Sequence, residues 1–318
     1  MGMLIASALV PVFFVMALGF FAGKRGIIDN VNIKALNNFL MMFALPAALF
    51  TAIARTPGTV IVSNASLMLV LAICLLALYA VMGLLQYVLF KLSKADAAVL
   101  MLTAAFPNFS SIGLPLLVGI YGPEAALAVA VAIATGAVTI SPLTLTLLEL
   151  AKAEPGSRSG FAQFLGALRK SVSKPIFLAP MLAVILALAG FQIPALVDKT
   201  LSPIGAATAG AGLFLTGLIL SAQPIRITRD VVIGVVLKNI LQPLLAVLLV
   251  YLLRIPQPLA GEAVLLVCIP AGFFGLVFGA GYGARPAVAG STLVVSSVAS
   301  IVTLAIAVAL LAPLAHHP

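Results

Sequence analysis

The residues best suited to chemistry in this chain gather in two short segments and around one lysine. Pro107-Asn108-Phe109-Ser110-Ser111-Ile112-Gly113-Leu114-Pro115 holds two prolines, a glycine and three polar side chains inside an apolar stretch. Pro270-Ala271-Gly272-Phe273-Phe274-Gly275 holds a proline and two glycines inside another. Proline removes a helix hydrogen bond and its ring clashes with the preceding turn, so each segment ends one half-helix and begins the next. The free N–H groups and positive dipole end of such a half-helix can hold an anion. Pro107, Asn108, Ser110, Gly113 and Pro115 in the first segment, and Pro270 and Gly272 in the second, are therefore candidate substrate-binding positions. Asn108 is placed to hydrogen-bond a carboxylate. The plainer reading is a pair of ordinary kinks, because Gly and Pro are common in transmembrane helices. Two breaks at equivalent depth favour a site.

Lys238 lies about eight residues, or about 12 Å, into another apolar run. A lysine at that depth costs about 2.5–3.5 kcal/mol on insertion scales, so it should face the interior with a carbonyl or anion partner. The alternative is that it snorkels to the interface. Gln242 shares its helix face, and Gln86 is a weaker polar candidate. The acids say what is missing. Asp29, Asp96, Glu124, Glu149, Glu154, Asp198, Asp230 and Glu262 all fall in loops or at span ends. Coupling to protons or sodium through a midplane carboxylate is therefore not expected, which leaves sodium held by unwound carbonyls open. The two histidines, His316 and His317, sit at the tail, so no metal motif and no Ser–His pair lies within the apolar runs. No P-loop occurs. No enzyme, no cofactor and no metal site is expected.

These segments need elements to hold them. The chain has 318 residues, 63% hydrophobic and 8% charged, with a mean hydropathy of +1.27. A soluble fold is about 25% charged. The composition excludes a cytosolic enzyme, a disordered chain and a nucleic-acid-binding domain, and points to an all-α polytopic membrane protein. Cys74 and Cys268 lie in apolar runs and read as packing residues. A bilayer crossing takes about 20 apolar residues. Cutting at charges, prolines and polar clusters gives ten spans, at about 3–22, 33–54, 66–90, 97–120, 124–149, 175–190, 201–221, 230–253, 261–282 and 286–312. The first is read as a span and not as a cleaved leader, since its basic pair Lys24-Arg25 follows the apolar run. Thirteen of the 17 Lys and Arg fall in odd-numbered connections, while Arg55, Lys199 and Arg254 fall in even ones and Lys238 lies inside a span. By the positive-inside rule the odd connections are cytoplasmic and both termini extracytoplasmic. The net charge of +9 is then orientation and not a nucleic-acid signal.

Residues 150–174 carry Pro155, Gly156 and five basic residues, and read as a cytoplasmic linker between a five-span half at 1–149 and another at 175–318. An odd number of spans per half sets the second half upside down, the inverted-repeat pattern of secondary transporters. Ala98-Val99-Leu100, Pro107 and Tyr121-Gly122 in span four recur in order as Ala263-Val264-Leu265, Pro270 and Tyr282-Gly283 in span nine. Pro107 lies about 15 Å and Pro270 about 13 Å into their spans. The two broken helices, four and nine, are thus expected to cross near the midplane.

Over its whole length the sequence resembles the auxin efflux carrier family. The resemblance rests on Leu45-Pro46-Ala47, on Pro107-Asn108 with Gly113-Leu114-Pro115, and on Pro270 with Tyr282-Gly283. Plant members have Asn-Pro-Asn at the first break, where Phe106 here replaces the first Asn. Phe273 and Phe274 stand where carboxylate carriers have polar residues. Bacterial members include malonate and malate carriers. The resemblance implies a scaffold of spans one, two, six and seven, a transport bundle of the other six, an elevator-like movement and often a homodimer. The resulting expectation is a secondary active or facilitative carrier of small organic anions, mono- or dicarboxylates, in a bacterial inner membrane, with Lys238 as fixed positive charge. The alternatives are a sodium-coupled symporter of the bile-acid type, and a membrane subunit or receptor-like module without transport of its own.

Overall fold

The computed structural model describes residues 2–28, 30–55, 57–59, 64–152, 165–166, 169, 173–191, 193–223, 225–284 and 286–311. Most of the linker, with Glu154, Pro155, Gly156, Arg158 and Lys170, lies outside the described residues, as do Asp29, Arg285, His316 and His317. Among the described residues every regular element is helical and no strand forms.

The helices are α1 (Gly2–Lys24), α2 (Asn30–Phe39), α3 (Leu45–Ala54), α4 (Ala65–Leu85), α5 (Lys94–Ala105), α6 (Leu114–Tyr121), α7 (Ala126–Val138) and α8 (Ile140–Lys152). They continue as α9 (Pro175–Leu188), α10 (Ala195–Ser221), α11 (Arg229–Val236), α12 (Gln242–Leu252), α13 (Leu259–Cys268), α14 (Phe274–Gly281) and α15 (Ala287–Leu311). Among the described residues six helical stretches are long and apolar enough to cross a bilayer: Ile33–Thr51, Ala65–Phe90, Pro123–Ala151, Ala195–Ser221, Arg229–Leu252 and Ala287–Leu311. Four apolar helices of 10–17 residues accompany them: Leu9–Lys24, Phe109–Tyr121, Leu178–Leu188 and Leu259–Cys268. This fits a polytopic membrane protein.

Local chemistry sets where helices start and how they bend. Ser93 caps α5 by accepting from Asp96 N at 3.1 Å, and Thr228 caps α11 by accepting from Val231 N at 3.4 Å. Asp96 and Asp230 stand in those first turns, where the dipole favours a carboxylate. Three π-helical turns, Leu40–Ala44, Phe109–Gly113 and Leu237–Leu241, each run up to an X-Pro pair: Leu45-Pro46, Leu114-Pro115 and Gln242-Pro243. Proline cannot bond to the carbonyl four residues back and crowds it, and widening the turn relieves that crowding. A fourth π turn, Gln86–Phe90, extends α4 and ends at Lys91 in the left-handed region, with φ of 53°.

The span expected at 124–149 falls within the stretch Pro123–Ala151, whose helix has a break at Thr139, where φ and ψ are −102° and −86°. Pro142 has no N–H to bond Val138, and Thr139 Oγ1 turns back to bond Thr135 O.

Packing falls into two groups. α1, α3, α9 and α10 pack on one another, and α4, α5, α8 and α11 to α15 form the other group; α6, α7 and α15 touch both, and the π turn Phe109–Gly113 meets α10. A side chain at Gly217 would overlap Met16 O, and one at Gly19 would overlap Phe214 O. Glycine is what lets α1 and α10 meet backbone to backbone.

Candidate functional site

α5 stops where Pro107 ends it, with Phe106 extended, and α13 stops before Pro270, with Ile269 extended. The two breaks lie against each other. Asn108 N donates to Pro270 O at 3.0 Å, Gly272 N donates to Thr103 O at 3.1 Å, and Pro107 and Ala271 form an antiparallel bridge. A side chain at Gly272 would overlap Phe106 O, so only glycine permits this approach. Pro107, Asn108, Ser110, Gly113, Pro270 and Gly272 are all buried, and Pro115 is half-buried at the head of α6.

The second break is satisfied by protein. Ala271 N donates to Ser296 Oγ at 3.0 Å, and Ser296 Oγ donates to Asn239 Oδ1 at 2.6 Å. Asn239 Nδ2 returns to Ser296 O at 3.0 Å. Beside them Lys238, 0% exposed, donates through Nζ to Val267 O at 2.7 Å and to Gln242 Oε1 at 2.8 Å. Gln242 Nε2 in turn donates to Cys74 O at 3.1 Å and Ala105 O at 3.3 Å. Lys238 therefore points inward, and its ammonium lies at the C-terminal end of α13 while its partner reaches that of α5. Those ends carry partial negative charge and carbonyls without helix partners. Gln86 Nε2 donates to Leu92 O at 2.7 Å and so closes the end of its own helix.

The first break is different. Asn108 Nδ2 donates to Thr216 Oγ1 of α10 at 3.0 Å, and Thr216 Oγ1 donates to Gly212 O at 2.9 Å. Asn108 Oδ1, Ser110 Oγ and, on α10, Thr208 Oγ1 are buried without a hydrogen-bond partner among the described residues. Thr208, Gly212 and Thr216 are spaced four residues apart on one face of α10, and Gly212 faces Ser111. Thr208 and Thr216 were not legible as site residues, since a threonine in an apolar helix usually bonds its own turn. Phe106 stacks on Phe274 at 5.2 Å, Phe274 on Phe273 at 5.4 Å, and Phe109 meets Phe106 edge-on at 5.6 Å, so an aromatic wall joins the two breaks.

Elsewhere, Arg55 Nε donates to Asp198 Oδ1 at 3.0 Å, and Tyr282 OH donates to Glu149 Oε1 at 2.6 Å. Cys74 and Cys268 are buried free thiols, and among the described residues no three His, Cys, Asp or Glu side chains gather as a metal site. An apolar cavity of about 200 Å³ lies between α3, α7 and α9, bounded by Ile53, Val131 and Val184, and includes no residue of either break.

The arrangement can hold an anion at a half-helix N-terminus beside free polar groups, and it offers no nucleophile–base pair. A family model described as "Membrane transport protein" matches residues 4–308. An uncharacterized transporter, YfdV, of Escherichia coli (strain K12) is 30% identical, over 93% of this chain and 94% of that protein. A protein of Rhizobium meliloti (strain 1021) provisionally named a malonate transporter is 24% identical, over 94% and 93% of the two chains. Auxin efflux carrier component 8 of Arabidopsis thaliana is 23% identical, over 89% and 90%.

Proposed function

This chain belongs to the membrane transport protein family, the family of the auxin efflux carriers, so it is a transporter and not an enzyme, and we propose that its cargo is a small organic anion such as a mono- or dicarboxylate. In this reading the ten apolar segments all span the membrane. Residues 1–149 and 175–318 are inverted repeats joined by the cytoplasmic linker 150–174, and the broken helices four and nine cross. The termini lie outside a bacterial inner membrane. The group of α1, α3, α9 and α10 is the scaffold past which the rest slides, elevator fashion, in a homodimer. The two-group packing and the glycine-tight contact of α1 with α10 support that division.

One observation carries the cargo assignment. At the first break buried Asn108 and Ser110 keep unpaired oxygens at the start of the half-helix Phe109–Tyr121. Buried polar groups are as a rule paired, so two unpaired ones side by side at a helix break call for a partner, and a ligand there would supply it. Pro107, Gly113 and Pro115 shape the turn that presents them. Pro270 and Gly272 accept and give the main-chain bonds that fix its back, and Lys238 with Gln242 sets a positive charge behind it. The relative named for malonate agrees with an anionic cargo.

The sodium-coupled alternative is less well supported. Carbonyls at the breaks that would suit a sodium ion, Val267 O and Ala105 O, already receive Lys238 and Gln242. Purified protein in liposomes should take up a labelled carboxylate, equally with and without sodium, and Asn108→Ala should lower the rate about tenfold or more. Wild-type rates from Asn108→Ala, or no flux by the purified chain, would remove this reading.

A further inference from the structure

The free groups at the first break have a definite hydrogen-bond polarity, and it follows from counting protons. Thr216 has one hydroxyl hydrogen, and it goes to Gly212 O. Its lone pairs are what remain to face Asn108, so Asn108 must turn its NH2 toward Thr216. The amide oxygen is thereby fixed pointing away, at a residue 1% exposed and with no donor to meet it among the described residues. Two residues on, Ser110, 2% exposed, has a hydroxyl with no partner. One position thus demands a donor from the ligand, and its neighbour can supply one.

A simple carboxylate answers only half of this. It accepts from Ser110 but has no hydrogen for Asn108 Oδ1. A carboxylic acid of ordinary pKa, near 4, is ionised at neutral pH and brings no proton either. An ammonium would donate too, but burying its charge costs more than burying a neutral hydroxyl. Every described acid lies at a helix end, and the charge held beside the breaks is Lys238, of the same sign as an ammonium. A hydroxyl meets the demand without charge.

Resting on the anion-carrier reading above, we propose that the cargo is a hydroxy acid, its hydroxyl donating to Asn108 Oδ1 and its carboxylate accepting from Ser110, and that Thr216 is the positioning residue that sets this preference by fixing the Asn108 amide. A site built to bond a hydroxyl discriminates strongly against the analogue without one, because its own polar group is then left unpaired.

The test compares matched pairs by ligand-induced thermal stabilisation of the purified protein and by competition for uptake in liposomes: lactate against propionate, malate against succinate, with alanine as the ammonium analogue of lactate. Within at least one pair the hydroxy acid should bind about tenfold or more tightly, and alanine should match neither. Thr216→Val should bring that ratio close to one, because the amide is then free to turn, whereas Thr216→Ser, which keeps the hydroxyl, should retain it. Equal binding within both pairs, or a ratio that survives Thr216→Val, overturns the proposal while leaving the anion reading intact. If no acid stabilises the protein or enters the liposomes, both fall together. Should Thr216→Val fail to fold, the wild-type ratios decide alone.

Discussion

Lys238 and Asn108 do different work although both are polar side chains buried in apolar helices. Lys238 has main-chain and side-chain acceptors around its ammonium and serves as counter-charge to the C-terminus of α13, while its partner Gln242 reaches that of α5. Lys238→Met would leave Val267 O and Gln242 Oε1 buried and unpaired, at a cost of about 1–3 kcal/mol each. A lowered melting temperature should accompany loss of transport. Asn108→Ala, by contrast, removes a group only half paired, so uptake should suffer more than melting temperature. Both residues were legible because a polar side chain in an apolar run is conspicuous. Gln242, which meets Lys238, was legible with them, but Thr216, which meets Asn108, was not. Ser296 and Thr216 carry no such signal, and nothing in sequence spacing says that a serine 57 residues away turns toward Asn239.

The breaks themselves were legible at the scale of elements, because proline is incompatible with helix interior wherever it falls. The π turns and the division at Thr139 were not expected, although three of the π turns precede an X-Pro pair and could have been read from it. The glycines of the two breaks show why element-level reading needs packing. Gly272 lies where any side chain would meet Phe106 O, whereas a Cβ at Gly113 would be 3.4 Å from Ile269 Cδ1, an ordinary contact. Gly272→Ala should therefore cost about 1–3 kcal/mol and disable uptake. Gly113→Ala should be neutral, or stabilising by up to about 1 kcal/mol, since it sits in helical backbone. Denaturation in detergent and uptake assays on the same two variants check both signs.

At the scale of the whole molecule the membrane class was plain from composition, while the division into a scaffold and a bundle was implied by the family resemblance alone and not by composition or spacing. Loop charge fixes which way a helix runs but not which helix it touches. If the groups slide past one another during transport, a covalent link between them should arrest it. A Cβ at Gly212 would stand 3.4 Å from Ser111 Cβ, close to the separation a disulfide spans. The double variant Ser111→Cys with Gly212→Cys should form that bond under oxidation. Uptake should then stop and return with reductant, and uptake that continues at full rate with the bond formed would rule out such sliding.

The meeting of the two breaks has a consequence for how such a protein diversifies. Asn108 N, Pro270 O, Gly272 N and Thr103 O are all main-chain atoms, present whatever side chains their residues carry, provided the prolines and the close-packed glycine stay. The frame of the site is thus inherited separately from its lining. Mutation can exchange the groups that touch a cargo without unpinning the helices that present them, so ancestry can be shared by proteins whose cargoes have little in common.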